Sequence, residues 1–218
     1  MTQIITVFIH RFKNISQHFE TIRQFAEFEK EWQTWIDWFI ALPLFIEKEN
    51  LRVVHACWDD KLIAHLKSVT AQNTLPVELI YDAQQPGTEN YYTIETILKG
   101  KETTLPDNLF FYDKDGHKRQ EVRTKWWLNA EGLGYNEYFM HETPELQGKK
   151  IREAEVQDNN FYTKDSIPVF FGHYWLKGEP VLQAPNVVCL DYSVAKGGKL
   201  VAYRWNGERE LKVESLIY

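Results

Sequence analysis

The sequence predicts an α/β protein with a mixed sheet or two packed sheets, on three observations. Short apolar runs bounded by turn residues, such as Leu51–Cys57 and Val169–Phe171, read as strands, and the second has the unbroken apolar character of a strand buried on both faces. Stretches with apolar residues every three or four positions alternate with them, over 17–41, 60–69 and 88–99. From residue 167 onward the chain is a succession of strand-like segments broken by Gly and Pro.

Taken in order, residues 17–41 place Phe19, Ile22, Phe25, Phe28, Trp32, Trp35, Ile36 and Phe39 on helical spacing, with Ser16 as N-cap and Pro43 as the stop. One long helix is expected, burying Phe25, Trp32, Trp35 and Phe39 against a sheet. Leu44–Ile46 and Leu51–Cys57 flank the polar turn 47–50 as a hairpin. Asp59 or Asp60 then caps a short helix carrying Leu62, Ile63, Leu66 and Val69, and Thr88 caps another that Gly100 closes. Leu109–Tyr112 and Glu121–Leu128 read as strands around Asp113–Gly116. That turn lacks the ligand spacing and flanking helices of a calcium loop. Residues 129–166 show no period and read as an irregular excursion or lid, with one short helix near Lys149–Glu155. A β-meander over 168–174, 187–194, 199–206 and 209–217 completes the chain, with tight turns at Gly197-Gly198 and Asn206-Gly207. No linker or repeat divides it, so 1–218 reads as a single domain.

Composition narrows the function. Eight tryptophans, eleven tyrosines and thirteen phenylalanines must largely line a core or a pocket. A formal charge of −6 offers no basic face for duplex nucleic acid. No apolar run approaches the ~20 residues of a membrane helix, and the amino-terminal apolar stretch precedes its basic residues, the reverse of a secretory signal. Cys57 and Cys189 lie inside apolar strands as small buried hydrophobes of a reducing compartment. A cytoplasmic protein is therefore expected.

Two strands end in histidine: LRVVHACW places His55, and IPVFFGHYW places His173. The carboxyl ends of strands are where open α/β sheets bind ligands. Either histidine alone fits a core residue satisfied by a carbonyl. Two on rigid strand ends can converge on one divalent transition metal through neutral imidazole nitrogens. Asp59, Asp60 and Asp191 lie near them in sequence. The first two suit a helix cap, and Asp191, inside a strand, suits a hydrogen-bonded carboxylate supporting the histidines.

RVVHACW at 52–58, FFGHYW at 170–175 and CLDYSVAKGGKLVAYRW at 189–205 together resemble the carboxyl-terminal half of calcineurin-like metallophosphoesterases. The closest branch is the one that groups serine/threonine phosphoprotein phosphatases with symmetrical diadenosine tetraphosphatases. IDWFIALPLFIE at 36–47 and IETILKGKETTLP at 94–106 extend the resemblance from about residue 11 to the carboxyl terminus. It implies the second half of a four-layer α/β/β/α sandwich with mixed sheets. It also implies hydrolysis of phosphate esters at a dinuclear centre of Mn, Zn or Fe, with a phosphoprotein or a dinucleoside polyphosphate as substrate. His55 and His173 then ligate one metal, and Arg123, in EVRTKWW, faces the phosphate; read alone, Arg123 is equally a surface strand residue. The family's Asp-x-His, Gly-Asp-x-x-Asp-Arg-Gly and Gly-Asn-His-Glu motifs are missing from these 218 residues. The expectation is thus a partial domain, truncated at its amino terminus, that is inactive alone and exposes apolar surface. The alternatives are a non-catalytic binding module and a non-functional gene fragment retaining part of the fold.

Overall fold

A computed structural model describes residues 12–113, 116–152, 155 and 160–218. In chain order the elements are α1 (Phe12–Gln24), α2 (Glu29–Ala41), β1 (Phe45–Lys48), β2 (Leu51–Val54), α3 (Asp60–Val69), α4 (Val77–Asp82), α5 (Glu89–Lys99), β3 (Glu102–Thr104), β4 (Phe111–Tyr112), β5 (Lys118–Arg119), β6 (Glu121–Arg123), α6 (Tyr135–Tyr138), β7 (Val169–Phe171), β8 (Val187–Cys189), β9 (Asp191–Tyr192), β10 (Lys199–Leu200), β11 (Ala202–Tyr203) and β12 (Leu216–Ile217). The fold is mixed α/β. Its centre is a four-stranded sheet in the order β1-β2-β7-β8, with β1 antiparallel to β2 and both β2–β7 and β7–β8 parallel. β3–β6, β4–β5, β9–β10 and β11–β12 form four antiparallel two-stranded ribbons.

The apolar run Val169–Phe171, read as a doubly buried strand, is just that, and its neighbour β8 is buried in the same way. Val169, Phe171, Val187 and Cys189 enter the larger core with Val54, Ile63, Leu66, Ile97, Trp126 and Trp127. The alternate residues Phe170 and Val188 enter a second core with Tyr192, Val201, Leu211 and Leu216. This is the period of two expected of a strand, with apolar partners on both faces. Helices and the Trp126-Trp127 pair cover one face, and the carboxyl-terminal ribbons cover the other.

Arg52 fixes how β7 enters this sheet. It pairs across the β1–β2 hairpin with Glu47 (2.9 Å), donates to the Tyr162 hydroxyl (3.1 Å), and lies 4.7 Å from the centre of the Trp58 ring. Tyr162 in turn donates to the Ile167 carbonyl just ahead of β7. The guanidinium is mostly buried, yet its charge and donors are matched, which is the condition for keeping a cation there.

Several expectations hold in detail. Asp59 is the N-cap of α3, accepting from the backbone N–H groups of Lys61 and Leu62. Thr88 caps α5, and Gly100 ends it at φ +100°. Asp113 and Gly116 turn the chain as expected, but β4 pairs with β5 at Lys118–Arg119 while β6, the strand expected opposite it, pairs with β3; Gly197-Gly198 turns β9 into β10.

Others are corrected. The helix expected over 17–41 is two helices of 13 residues each, interrupted at 25–28, so Ser16 lies inside α1 rather than at its cap. Trp35 and Phe39 are exposed, and α2 has no fully buried residue. Helical spacing shows that a face seeks burial, not what buries it. The meander is corrected as well: β7 and β8 run parallel, joined by the long loop 172–186, which the turn-rich sequence between them does not distinguish from a hairpin connection. The strand expected over Glu121–Leu128 stops at Arg123, because Trp126 and Trp127 turn into the core. Asn206-Gly207 makes a bend, but β11 pairs with the distant β12 instead of the chain just after the bend. Within 129–166, α6 packs Tyr135 and Phe139 on Leu105, Val122 and Leu146 as a small core of its own. Lys149–Arg152 is not helical, and most of the rest of the helix expected there lies outside the described residues.

Phe171→Ala should therefore destabilise the protein by about 3–5 kcal/mol, while Phe39→Ala should cost less than about 1 kcal/mol. Urea denaturation at low protein concentration measures both.

Candidate metal and phosphate site

Parallel pairing of β2 with β7 brings the two histidines together. The register matches Arg52 with Val169 and Val53 with Phe170, and the Gly172 N–H extends the ladder by donating to the His55 carbonyl (2.9 Å). Both chains thus leave the sheet at the same end. His55 Nε2 and His173 Nδ1 face each other at 3.2 Å, with ring centroids 4.9 Å apart. Without a bound ion, one ring must donate its N–H to the other.

The chain turns sharply here. His173, Trp175 and Ser193 all have left-handed backbones, at φ 64°, 49° and 59°. Non-glycine residues rarely hold that conformation without compensating contacts, and such strain gathers at functional sites. Asp191 supplies the contacts. One of its oxygens accepts from the Trp175 N–H (3.3 Å), the other from the Ser193 N–H (3.0 Å). Asp191 is therefore a positioning residue. Its carboxylate also acts on both imidazoles, tending to raise their pKa.

Arg123 reaches the same corner from β6. Its Nη1 donates to the His173 carbonyl (2.9 Å), and its guanidinium lies 4.9 Å from the centre of the Tyr174 ring. Its Nε is buried without a hydrogen-bond partner. Gly100 makes this possible, because a Cβ there would lie 2.8 Å from the Tyr174 hydroxyl and 2.9 Å from Arg123 Cδ.

The electrostatics favour neutral rings. Burial lowers the His55 pKa despite its exposed edge. Burial, then the Arg123 charge, then His55 itself push His173 down to about 4. Neutral imidazoles are the form that binds metal. Two nitrogens each about 2.0–2.1 Å from one tetrahedral ion lie about 3.3–3.4 Å apart, close to the observed spacing. The pair therefore fits two positions of a metal's ligand set. Among the described residues, no group of three or more His, Cys, Asp or Glu side chains is gathered to hold an ion. Asp59 and Asp60 belong to helix capping and to the Arg52 and Trp58 contacts.

Two neighbours went unread in the sequence. Trp175 is exposed with its ring 5.4 Å from that of His173, and Lys196 Nζ lies 4.7 Å from the centre of the Trp175 ring. The sequence signal for Trp175 was its place two residues after His173; Lys196 had none. No family model, curated protein or solved structure matches the chain.

Gly100→Ala should destabilise by about 1–3 kcal/mol through overpacking and the positive φ. It should also displace the Arg123 guanidinium, so that the His173 pKa rises toward its ordinary value in an NMR titration.

The unfolded His173 takes a proton near 6.5, while the folded ring resists it down to about 4. Its contribution to stability is therefore complete above pH 6.5 and is lost as pH falls toward 4. Discounted for the partial exposure of the ring, the loss is about 1–2 kcal/mol. His173→Asn keeps a residue that tolerates the left-handed backbone, and its melting temperature should fall less over that pH window.

Proposed function

We propose that this chain is the histidine-bearing portion of a metal-dependent phosphoesterase of the calcineurin-like kind, and that its four-stranded sheet β1-β2-β7-β8 belongs to one sheet of a four-layer α/β/β/α sandwich. The observation that carries this reading is the convergence of His55 and His173 at the ends of adjacent parallel strands, 3.2 Å apart and both biased toward neutrality. In this reading the two rings hold one divalent ion, Mn, Zn or Fe. Such an ion supplies a water of lowered pKa and neutralises charge on a phosphoryl oxygen. Arg123 attracts the phosphate by charge and adds to burial in keeping His173 unprotonated, and Asp191 holds the strained loop that presents His173. Two imidazoles are fewer than the three or four protein ligands of usual zinc sites. The remaining ligands and the general acid then come from polypeptide upstream of these residues, and this chain alone is inactive. The substrate class is a phosphoprotein or a dinucleoside polyphosphate. The buried thiols of Cys57 and Cys189, the latter pushed up to about 12 by burial, suit a reducing compartment such as the cytoplasm. Among the described residues, no helix is long and apolar enough to cross a membrane.

The test is turnover of p-nitrophenyl phosphate and of a dinucleoside tetraphosphate, with and without Mn or Zn, by this chain and by a polypeptide extended upstream. This chain should show negligible turnover. The extended one should be metal-dependent, and His55→Ala or His173→Ala should lower its kcat/KM by a hundredfold or more. Robust turnover by the 218-residue chain overturns the partial-site reading, and indifference of the extended chain to both substitutions overturns the site.

A further inference from the structure

We propose that Trp175 and Lys196 form a nucleotide subsite beside the histidine pair, in which the indole stacks a nucleobase and the ammonium takes a phosphate of the same ligand. The subsite rests on the phosphoesterase reading for where the reacting phosphate lies, and it narrows that reading to a dinucleoside polyphosphate.

The backbone of Trp175 is left-handed, at φ 49°, which for a bulky residue is an outlier. The strain serves no burial. Tyr174, just before it, is buried and donates its hydroxyl to the Thr124 carbonyl (3.1 Å), whereas Trp175 is 49% exposed. A tryptophan turned out of the core at a conformational cost is placed for a surface ligand.

The loop that carries Trp175 is tied to the one that carries Lys196. The Asp191 carboxylate accepts from the N–H groups of both Trp175 and Ser193. The Asp191 carbonyl accepts from the Leu176 N–H (2.9 Å), and Ser193 Oγ donates to the Leu176 carbonyl (3.3 Å). Ser193 opens the single turn Val194–Lys196. These bonds set the two side chains against each other, with Lys196 Nζ 4.7 Å from the centre of the indole. Lys196 is exposed. Its flexible four-carbon stem lets the ammonium move from the ring to a phosphate and leave that face to a base.

Position and charge select the ligand. The Trp175 ring lies 5.4 Å from that of His173, so a base stacked there has its phosphates within reach of the histidine pair. Cations stand at both ends of this short path, Arg123 at the His173 carbonyl and Lys196 at the indole. A polyphosphate chain carries the charge to engage both, and every nucleobase has a π-face to offer an indole. A phosphoserine or phosphothreonine side chain has one phosphate and no ring, and leaves Trp175 and Lys196 unused.

Calorimetric titration of the 218-residue chain with ADP, pyrophosphate and phosphotyrosine, in the presence of Mn, tests the proposal. ADP should bind at least about fivefold more tightly than pyrophosphate, the lower end of what one base–aromatic stack gives. Trp175→Ala should remove most of that preference and Trp175→Phe should keep most of it. Melting curves should not change, because the indole lies outside the three buried cores. Lys196→Ala should weaken ADP and pyrophosphate alike. In the native chain, transferred NOEs should connect adenine H2 or H8 to the Trp175 indole, a contact that needs no variant. The proposal is overturned if millimolar ADP does not bind, or binds no more tightly than pyrophosphate. An ADP preference that Trp175→Ala leaves intact overturns it too, as does phosphotyrosine that binds as tightly as ADP with the same dependence on Trp175. Failure of the phosphoesterase reading looks different: Mn then adds nothing to pyrophosphate affinity, while ADP keeps its Trp175-dependent preference.

Discussion

The fold depends on the burial of β7 from both sides. A strand with Val169 and Phe171 in one core and Phe170 in another must be flanked by strands and covered on both faces. β2 and β8 flank it in parallel, and parallel strands end at the same side of a sheet. That constraint turns two histidines separated by 118 positions into neighbours. The Arg52 network serves it by tying the segment before β7 to the β1–β2 hairpin.

The corner beyond β7 is held against its own conformational preference. Three left-handed non-glycine residues lie within it, and the Asp191 carboxylate holds two of them by their N–H groups. Opposite charges meet there without a direct pair: burial and then Arg123 depress the His173 pKa, while Asp191 opposes the fall. The net result is a half-buried imidazole pair biased toward its neutral form.

The exposed aromatic helix contrasts with this economy. Inside the domain, rings pack edge-on in a connected series from Trp127 and Trp126 through Phe171 to Tyr174. On α2 the same residue types contact mainly one another and solvent. The domain closes its buried cores without them.

The sequence by itself determined the doubly apolar strands, the caps at Asp59 and Thr88, the terminator Gly100 and the hairpin turns at 113–116 and 197–198. Each follows from local preference: side-chain alternation, a polar group seeking orphan N–H donors, or a backbone that glycine allows. It also pointed to His55 and His173 as strand-end residues, to Arg123 and to Asp191. Only the tertiary structure decided that β7 and β8 are parallel, that the amino-terminal stripe is two helices with Trp35 and Phe39 exposed, and that Arg123 turns its guanidinium toward the His173 carbonyl. Strand direction and helix environment depend on which distant segments meet, and nothing within ten residues of either histidine encodes the 3.2 Å between them. The register of β2 against β7 sets that distance, and the register is fixed by the two cores that bury β7 from opposite sides.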